Sequence, residues 1–221
     1  MIRFFDFLFS SLAIISISPF LILLSIILNF SGEGKIFFLQ ERIGKNKKKF
    51  KVIKFATMLE NSPNMGAGSI TEFNDPRILP VGKILRKTKI NEIPQLFNVL
   101  KGNMSLIGPR PHVERDLKGV NKEVLDKVLS VKPGLSGIAS IIFRNEESII
   151  HDSPNGRVFY DENIAPFKAE LESWYVKQNK TLLYFPLIFL TVIGIFNNRI
   201  VSINKIFPTL PPTPNNLKKY I

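Results

Sequence analysis

The sequence predicts a mostly helical α/β protein: an N-terminal membrane helix broken at Ser18-Pro19, then a globular domain that carries interfacial helices. Three observations predict it. Residues 7–30, FLFSSLAIISISPFLILLSIILNF, contain no charged side chain. Short apolar runs at 36–40 and 50–55 read as strands, and from Val81 onward apolar residues recur at spacings of three and four, the mark of helices with one buried face. On this reading the chain divides into a membrane helix over residues 1–32, a domain over 33–200 and a tail over 201–221.

As one continuous helix, residues 7–30 would be roughly 36 Å long at 1.5 Å per residue, enough to cross a bilayer. Pro19 lacks a backbone donor and its ring crowds the carbonyl of Ile15, so a kink or break belongs there, with Ser16 and Ser18 placed to bond the freed carbonyls. Such a helix either crosses the bilayer or enters and leaves by one face. The run is longer than the roughly 7–15 residues of a secretory signal core and no small-x-small cleavage site follows, which argues against a signal peptide. Next come Lys35, Arg42, Lys45, Lys47, Lys48, Lys49, Lys51 and Lys54, a basic run suited to a cytoplasmic face and to anionic membrane lipid.

The loop over residues 61–75 is rich in Gly, Asn, Ser and Pro and is expected to serve as a lid. Val81, Ile84 and Leu85, then Ile93, Leu96, Phe97 and Leu100, mark two helical faces, the second closed by Gly102. Further helices are expected over 120–129 and 164–178, where Phe167, Leu171 and Trp174 fall in register as core or membrane-interface packing. The apolar stretch 182–196 contains Pro186 and is too short for an ordinary span, so it reads as an interfacial or buried helix. The tail, with Pro208, Pro211, Pro212 and Pro214, is expected to be extended and mobile.

A formal net charge of +12 calls for a polyanionic partner. Cysteine is absent and His112 and His151 are the only histidines, which excludes disulfide and thiolate chemistry and leaves too few ligands for a zinc site. Any metal should be a hard, oxygen-ligated one. Nucleic acid is not the expected partner, because neither aromatics interleaved with a basic stripe nor a reading helix is evident. A purely structural membrane scaffold would need only the helix and the basic patch.

The most informative segment is residues 82–111, GKILRKTKINEIPQLFNVLKGNMSLIGPRP. Asn91 suits a helix N-cap, Glu92 follows where the helix dipole favours an anion, and Pro94 is tolerated in a first turn. A helix N-terminus suits phosphate as well, and Lys83, Arg86, Lys87, Lys89, Lys101 and Arg110 supply cations on either side. Pro109 and Pro111 restrict the backbone around Arg110, holding a guanidinium fork ready for a phosphate.

Here the sequence resembles the monotopic phosphoglycosyl transferases, the bacterial sugar transferase family. The resemblance runs through Ser18-Pro19, QERIGKNKKKFKVIKFATM over 40–58, the segment ending in GPRP, VKPGLSG over 131–137 and ESWYVKQ around Trp174. It implies transfer of a sugar 1-phosphate from a UDP-sugar to undecaprenyl phosphate, with release of UMP, at the cytosolic face of the bacterial inner membrane. It also implies a re-entrant Ser-Pro helix, a monotopic placement and Mg²⁺ as cofactor. The partners implied are the UDP-sugar, undecaprenyl phosphate and anionic lipid, with downstream glycosyltransferases or a second copy of the chain as further candidates.

By resemblance the site comprises a catalytic pair at positions 91 and 92, phosphate-binding Lys54, Arg86, Arg110 and Arg144, and Mg²⁺ held by Glu92 and Asn91. One departure matters. The family has Asp as nucleophile where this chain has Asn91, and an amide has no anionic oxygen with which to form an acyl phosphate. Three readings stay open: an active enzyme using direct attack, Glu92 or another carboxylate; a chain that binds UDP-sugar or partner glycosyltransferases without turnover; or an introduced substitution that traps substrate. Ala56, Asn103 and Phe185 also replace charged residues common in the family.

Overall fold

The computed structural model describes residues 1–65, 75–114, 122–153, 155–178, 180–196 and 203–221. It begins with helix α1, Ile2–Asn29, long and apolar enough to cross a membrane. Pro19 lies inside this helix, so the kink or break expected at Ser18-Pro19 does not end it. Ser18 Oγ donates to the Ile15 carbonyl at 2.9 Å, serving the acceptor that Pro19 cannot.

Both ends of α1 are fastened to the domain. At the start, the Arg3 guanidinium donates to the carbonyls of Val99 and Leu100, and the buried Asp6 accepts from Ser105 Oγ, the Leu106 N–H and Tyr184 Oη at 2.8–2.9 Å. At the far end Leu21, Leu24 and Leu28 pack with Phe55 and Leu85. Just beyond it, the Glu33 carboxylate accepts from the Glu60 N–H. Between these anchors Phe4, Leu12, Ile15 and Ile22 stay exposed.

Strands β1 (Phe37–Ile43) and β2 (Lys49–Phe55) form an antiparallel hairpin in which Phe37 faces Phe55 and Ile43 faces Lys49, close to the two predicted runs. Helix α2 (Pro80–Lys87) follows, then a 3₁₀ turn over Ile90–Glu92 and α3 (Gln95–Lys101). Gly102, at φ 83°, ends α3 as expected. Strand β3 (Ser105–Ile107) pairs in parallel with β4 (Gly134–Ser136), and α4 (Lys122–Val128) lies between them in sequence. Of the expected lid, residues 66–74 lie outside those described; its flanks are tied together by buried Arg77, which donates to the carbonyls of Ser62 and Met65 and pairs with Asp75.

The rest is helical: α5 (Ile138–Ile142), α6 (Glu146–Asp152), α7 (Gly156–Phe159), a π-helical turn over Tyr160–Ile164, α8 (Ala165–Lys177), α9 (Lys180–Phe196) and α10 (Ile203–Ile206). Phe167, Leu171 and Trp174 are buried in the main core, as their register predicts. Helix α9 packs Tyr184, Leu187 and Leu190 inward and leaves Leu182, Phe189, Val192 and Ile195 exposed, the one-sided packing of an interfacial helix. Phe185, in the second turn of α9, puts its ring 5.0 Å from that of Phe5, so the apolar surfaces of α1 and α9 join.

The tail departs from expectation. Phe207, Leu210 and Leu217 are buried in the main core, Trp174 Nε1 donates to Thr209 Oγ1 at 3.3 Å, and the Tyr220 ring packs edge-on against Phe159. Its prolines shape short turns, Leu217 N–H bonding the Pro214 carbonyl at 3.0 Å, so apolar residues between them reach the core. Proline content forecast an extended chain; the apolar side chains decided its fate.

Candidate active site

Three elements meet at Glu92. Strand β2 delivers Lys54, the 3₁₀ turn delivers Asn91 and Glu92, and the turn after β3 delivers Arg110. Lys54 Nζ lies 3.3 Å from Glu92 Oε1, and an Arg110 guanidinium nitrogen lies 3.5 Å from the same oxygen. Lys54 and Glu92 are mostly enclosed, at 17% and 19% side-chain exposure, whereas Arg110 is 42% exposed and forms the open side of the cluster.

Burial works against the Glu92 anion, but Lys54, Arg110 and Lys89 outweigh it and hold the carboxyl down at about 2. Lys54 is lowered to about 8, mainly by burial, with Glu92 opposing and Arg110 and Arg42 adding to the fall. Arg110 is raised, chiefly by Glu92. At neutral pH the cluster therefore holds two cations and one anion, a net positive charge of the kind that attracts an anionic phosphate.

The expected N-cap at Asn91 is corrected. A side chain at that position would bond the N–H groups of residues 93 and 94, yet Ile93 N–H is already taken by the Ile90 carbonyl at 3.1 Å and Pro94 has no N–H. Helix α3 starts at Gln95 instead. Asn91 is 6% exposed and its Oδ1 is a buried acceptor without a hydrogen-bond partner. An orphaned oxygen of that kind, on the residue next to Glu92 in the chain, fits a hard divalent cation that takes its remaining ligands from water and substrate phosphates. Among the described residues no three His, Cys, Asp or Glu side chains converge to hold a metal alone.

Arg86 and Arg144 stand apart from the Glu92 ion pairs. Arg86, in the last turn of α2, reaches Met58 Sδ at 3.7 Å and Glu147 at 3.4 Å on α6. Arg144, in the turn between α5 and α6, is half-buried and lowered by that burial. Ser18 lies with Leu21, Ser25, Phe37, Pro94 and Phe97 along an apolar groove of about 500 Å³ that runs from α1 to the start of α3.

Sequence reasoning missed Arg42, Asp6 and Glu172. Arg42 Nη1 donates to the Pro111 carbonyl at 3.0 Å, and Glu172, 3% exposed on α8, contacts the GPRP turn from behind. Asp6, an acid within an apolar run, carried a signal; Arg42 and Glu172, each among other polar residues, did not.

The architecture defines a protein that joins a long apolar helix, with an apolar groove along it, to a domain carrying the Lys54–Glu92–Arg110 charge cluster. A family model described as bacterial sugar transferase matches residues 1–198. The chain is 38% identical over 160 residues to the exopolysaccharide production protein ExoY of Sinorhizobium fredii, covering 66% of this chain and 70% of that protein. It is 33% identical over 189 residues to a UDP-N-acetylgalactosamine-undecaprenyl-phosphate N-acetylgalactosaminephosphotransferase of Aeromonas hydrophila, covering 85% of this chain and 41% of the relative. It is 37% identical over 189 residues to the undecaprenyl-phosphate galactose phosphotransferase of Salmonella typhimurium, covering 79% and 36%. The chain thus spans about two fifths or less of the two phosphotransferases. It belongs to the bacterial sugar transferase family, as the resemblance of its motifs implies.

Proposed function

We propose that this chain transfers a sugar 1-phosphate from a UDP-sugar to undecaprenyl phosphate, releasing UMP. The observation that carries the reading is the Lys54–Glu92–Arg110 cluster, a net positive charge open on its Arg110 side and within the family match. The apolar groove along α1 suits a polyprenyl chain whose phosphate reaches that cluster. The fastening of both ends of α1 to one domain supports a re-entrant, monotopic placement at the cytosolic face of the bacterial inner membrane. A transmembrane helix would carry its two ends to opposite sides, whereas these two ends rest on one body.

In the proposed reaction a phosphate oxygen of undecaprenyl phosphate attacks the β-phosphorus of the UDP-sugar. The bond from that phosphorus to the bridging oxygen breaks, and UMP leaves with the bridging oxygen. Asn91 offers no anionic oxygen for an acyl phosphate, so the transfer is direct. Lys54 and Arg110 bind and orient the phosphates, with Arg86 and Arg144 proposed further along the substrate. Glu92 and Asn91 would hold Mg²⁺, which supplies charge neutralisation of the diphosphate when bound.

A second reading is favoured by Asn91 itself: a chain that binds UDP-sugar, or partner glycosyltransferases, without turnover. UMP release from a panel of UDP-sugars with undecaprenyl phosphate separates the two, comparing the chain with Asn91→Asp and Glu92→Gln. Turnover by the unaltered chain supports transfer; turnover by Asn91→Asp alone supports the binding reading.

A further inference from the structure

Pro109 and Pro111 have no N–H, so the N–H of Arg110 is the single backbone donor of residues 109–111. It donates to Glu172 Oε1 at 3.1 Å, while Glu172 Oε2 lies 3.2 Å from His112 Nε2. The carbonyls of the turn are held as well. Pro109 O accepts from Gly134 N–H at 2.8 Å, Pro111 O from Arg42 at 3.0 Å and His112 O from Ile43 N–H at 2.9 Å.

These other partners are neutral backbone or the Arg42 guanidinium, but Glu172 is a carboxylate at 3% exposure, on the helix that buries Phe167, Leu171 and Trp174 in the core. Burying a carboxylate is costly unless charge or hydrogen bonds compensate, and a neutral acceptor would satisfy the same N–H. What the carboxylate adds is charge behind Arg110: Glu172 is among the groups that strengthen the Arg110 cation. The Arg110 side chain in turn leaves the cluster on its open side, with Glu92 as its partner.

We propose that Glu172 is a positioning residue, holding the GPRP turn so that the Arg110 guanidinium meets the diphosphate of the nucleotide sugar; this rests on the transferase reading above. Its role is exerted through Arg110. A merely structural carboxylate would weaken the protein equally whether or not Arg110 is present.

The test is a double-mutant cycle on the full chain in detergent or lipid, reading both UMP release and UDP binding by calorimetry. Glu172→Leu is expected to lower kcat/KM and UDP affinity about tenfold or more with Arg110 intact, and less than about threefold in the Arg110→Ala background. Glu172→Gln, which keeps the acceptor for the Arg110 N–H but lacks the charge, is expected to recover only part of the loss. Equal fractional losses in both backgrounds would overturn the proposal. If the unaltered chain releases no UMP, the transferase reading fails, and the UDP-binding cycle still decides the role of Glu172. If Glu172→Leu does not fold, Glu172→Gln and Glu172→Asp carry the cycle, and additivity with Arg110→Ala for both overturns it.

Discussion

Asp6, in the second turn of the apolar helix, accepts a 2.8 Å hydrogen bond from Tyr184 Oη across 178 residues of sequence. The same carboxylate oxygen also takes Ser105 Oγ and the Leu106 N–H, so one buried acid joins the first helix, strand β3 and helix α9. Tyr184→Phe should cost about 1.5–3 kcal/mol, the range for a hydrogen bond to a charged group. Asp6→Ala should cost more, because three donors lose their acceptor. Thermal unfolding in detergent, with Phe185→Leu as a control, checks both values.

On the proposed transfer, Lys54 should make the activity pH-dependent. Its ammonium is lowered to about 8, so kcat/KM should fall as pH rises through about 8. Unfolding does not explain such a loss: the folded value lies below the ordinary 10.5, so raising pH from 8 to 10.5 relieves a cost of burying the cation. Lys54→Arg should remove the basic limb. Glu92, held down at about 2, contributes stability above pH 4.5 that disappears only as pH falls toward 2, so it should give no acid limb between pH 5 and 7. Rate profiles in one detergent from pH 5 to 10 check this.

The placement of α1 predicts a labelling pattern. The chain has no cysteine, so a single cysteine at Glu33 and another inserted after Met1 can be compared without background. Both should react with a membrane-impermeant maleimide from the cytosolic side of inverted vesicles. Reaction of the two from opposite sides would make α1 a span.

Truncation after Ile206 should destabilise the whole domain rather than trim a mobile end. Leu217 is fully buried and the Trp174 ring packs at a tilt against Phe207, so Leu217→Ala alone should cost about 2–5 kcal/mol. Unfolding in urea reads the loss.

Much of this fold was legible in the chain. The β1–β2 hairpin, α2, α3 with its Gly102 stop, and the buried face of α8 all follow from periodicity and one glycine, because each is set by local pattern. What escaped was long-range. The docked tail depends on Leu217 finding a core built from distant helices, whereas the bond of Ser18 to the Ile15 carbonyl is local and was foreseen. At the site, Lys54, Glu92 and Arg110 were named from the motif and do meet. The N-cap at Asn91 failed for a reason already written in the sequence: Pro94 occupies the position whose N–H such a cap needs. Glu172 was hidden because burial, not spacing, distinguishes it. Motif glycines were equally opaque. A Cβ on Gly134 would sit 2.1 Å from the Gly108 nitrogen, so VKPGLSG and GPRP are two halves of one backbone contact.

The most direct measurement follows the phosphorus. With a UDP-sugar labelled at the β-phosphate, undecaprenyl phosphate and Mg²⁺, the account predicts that the label moves to the organic phase as UMP forms. It predicts no labelled protein intermediate, and Glu92→Gln should slow the transfer by about 100-fold or more. Label that stays in UDP, or a sugar that reaches the lipid without its phosphorus, would contradict it.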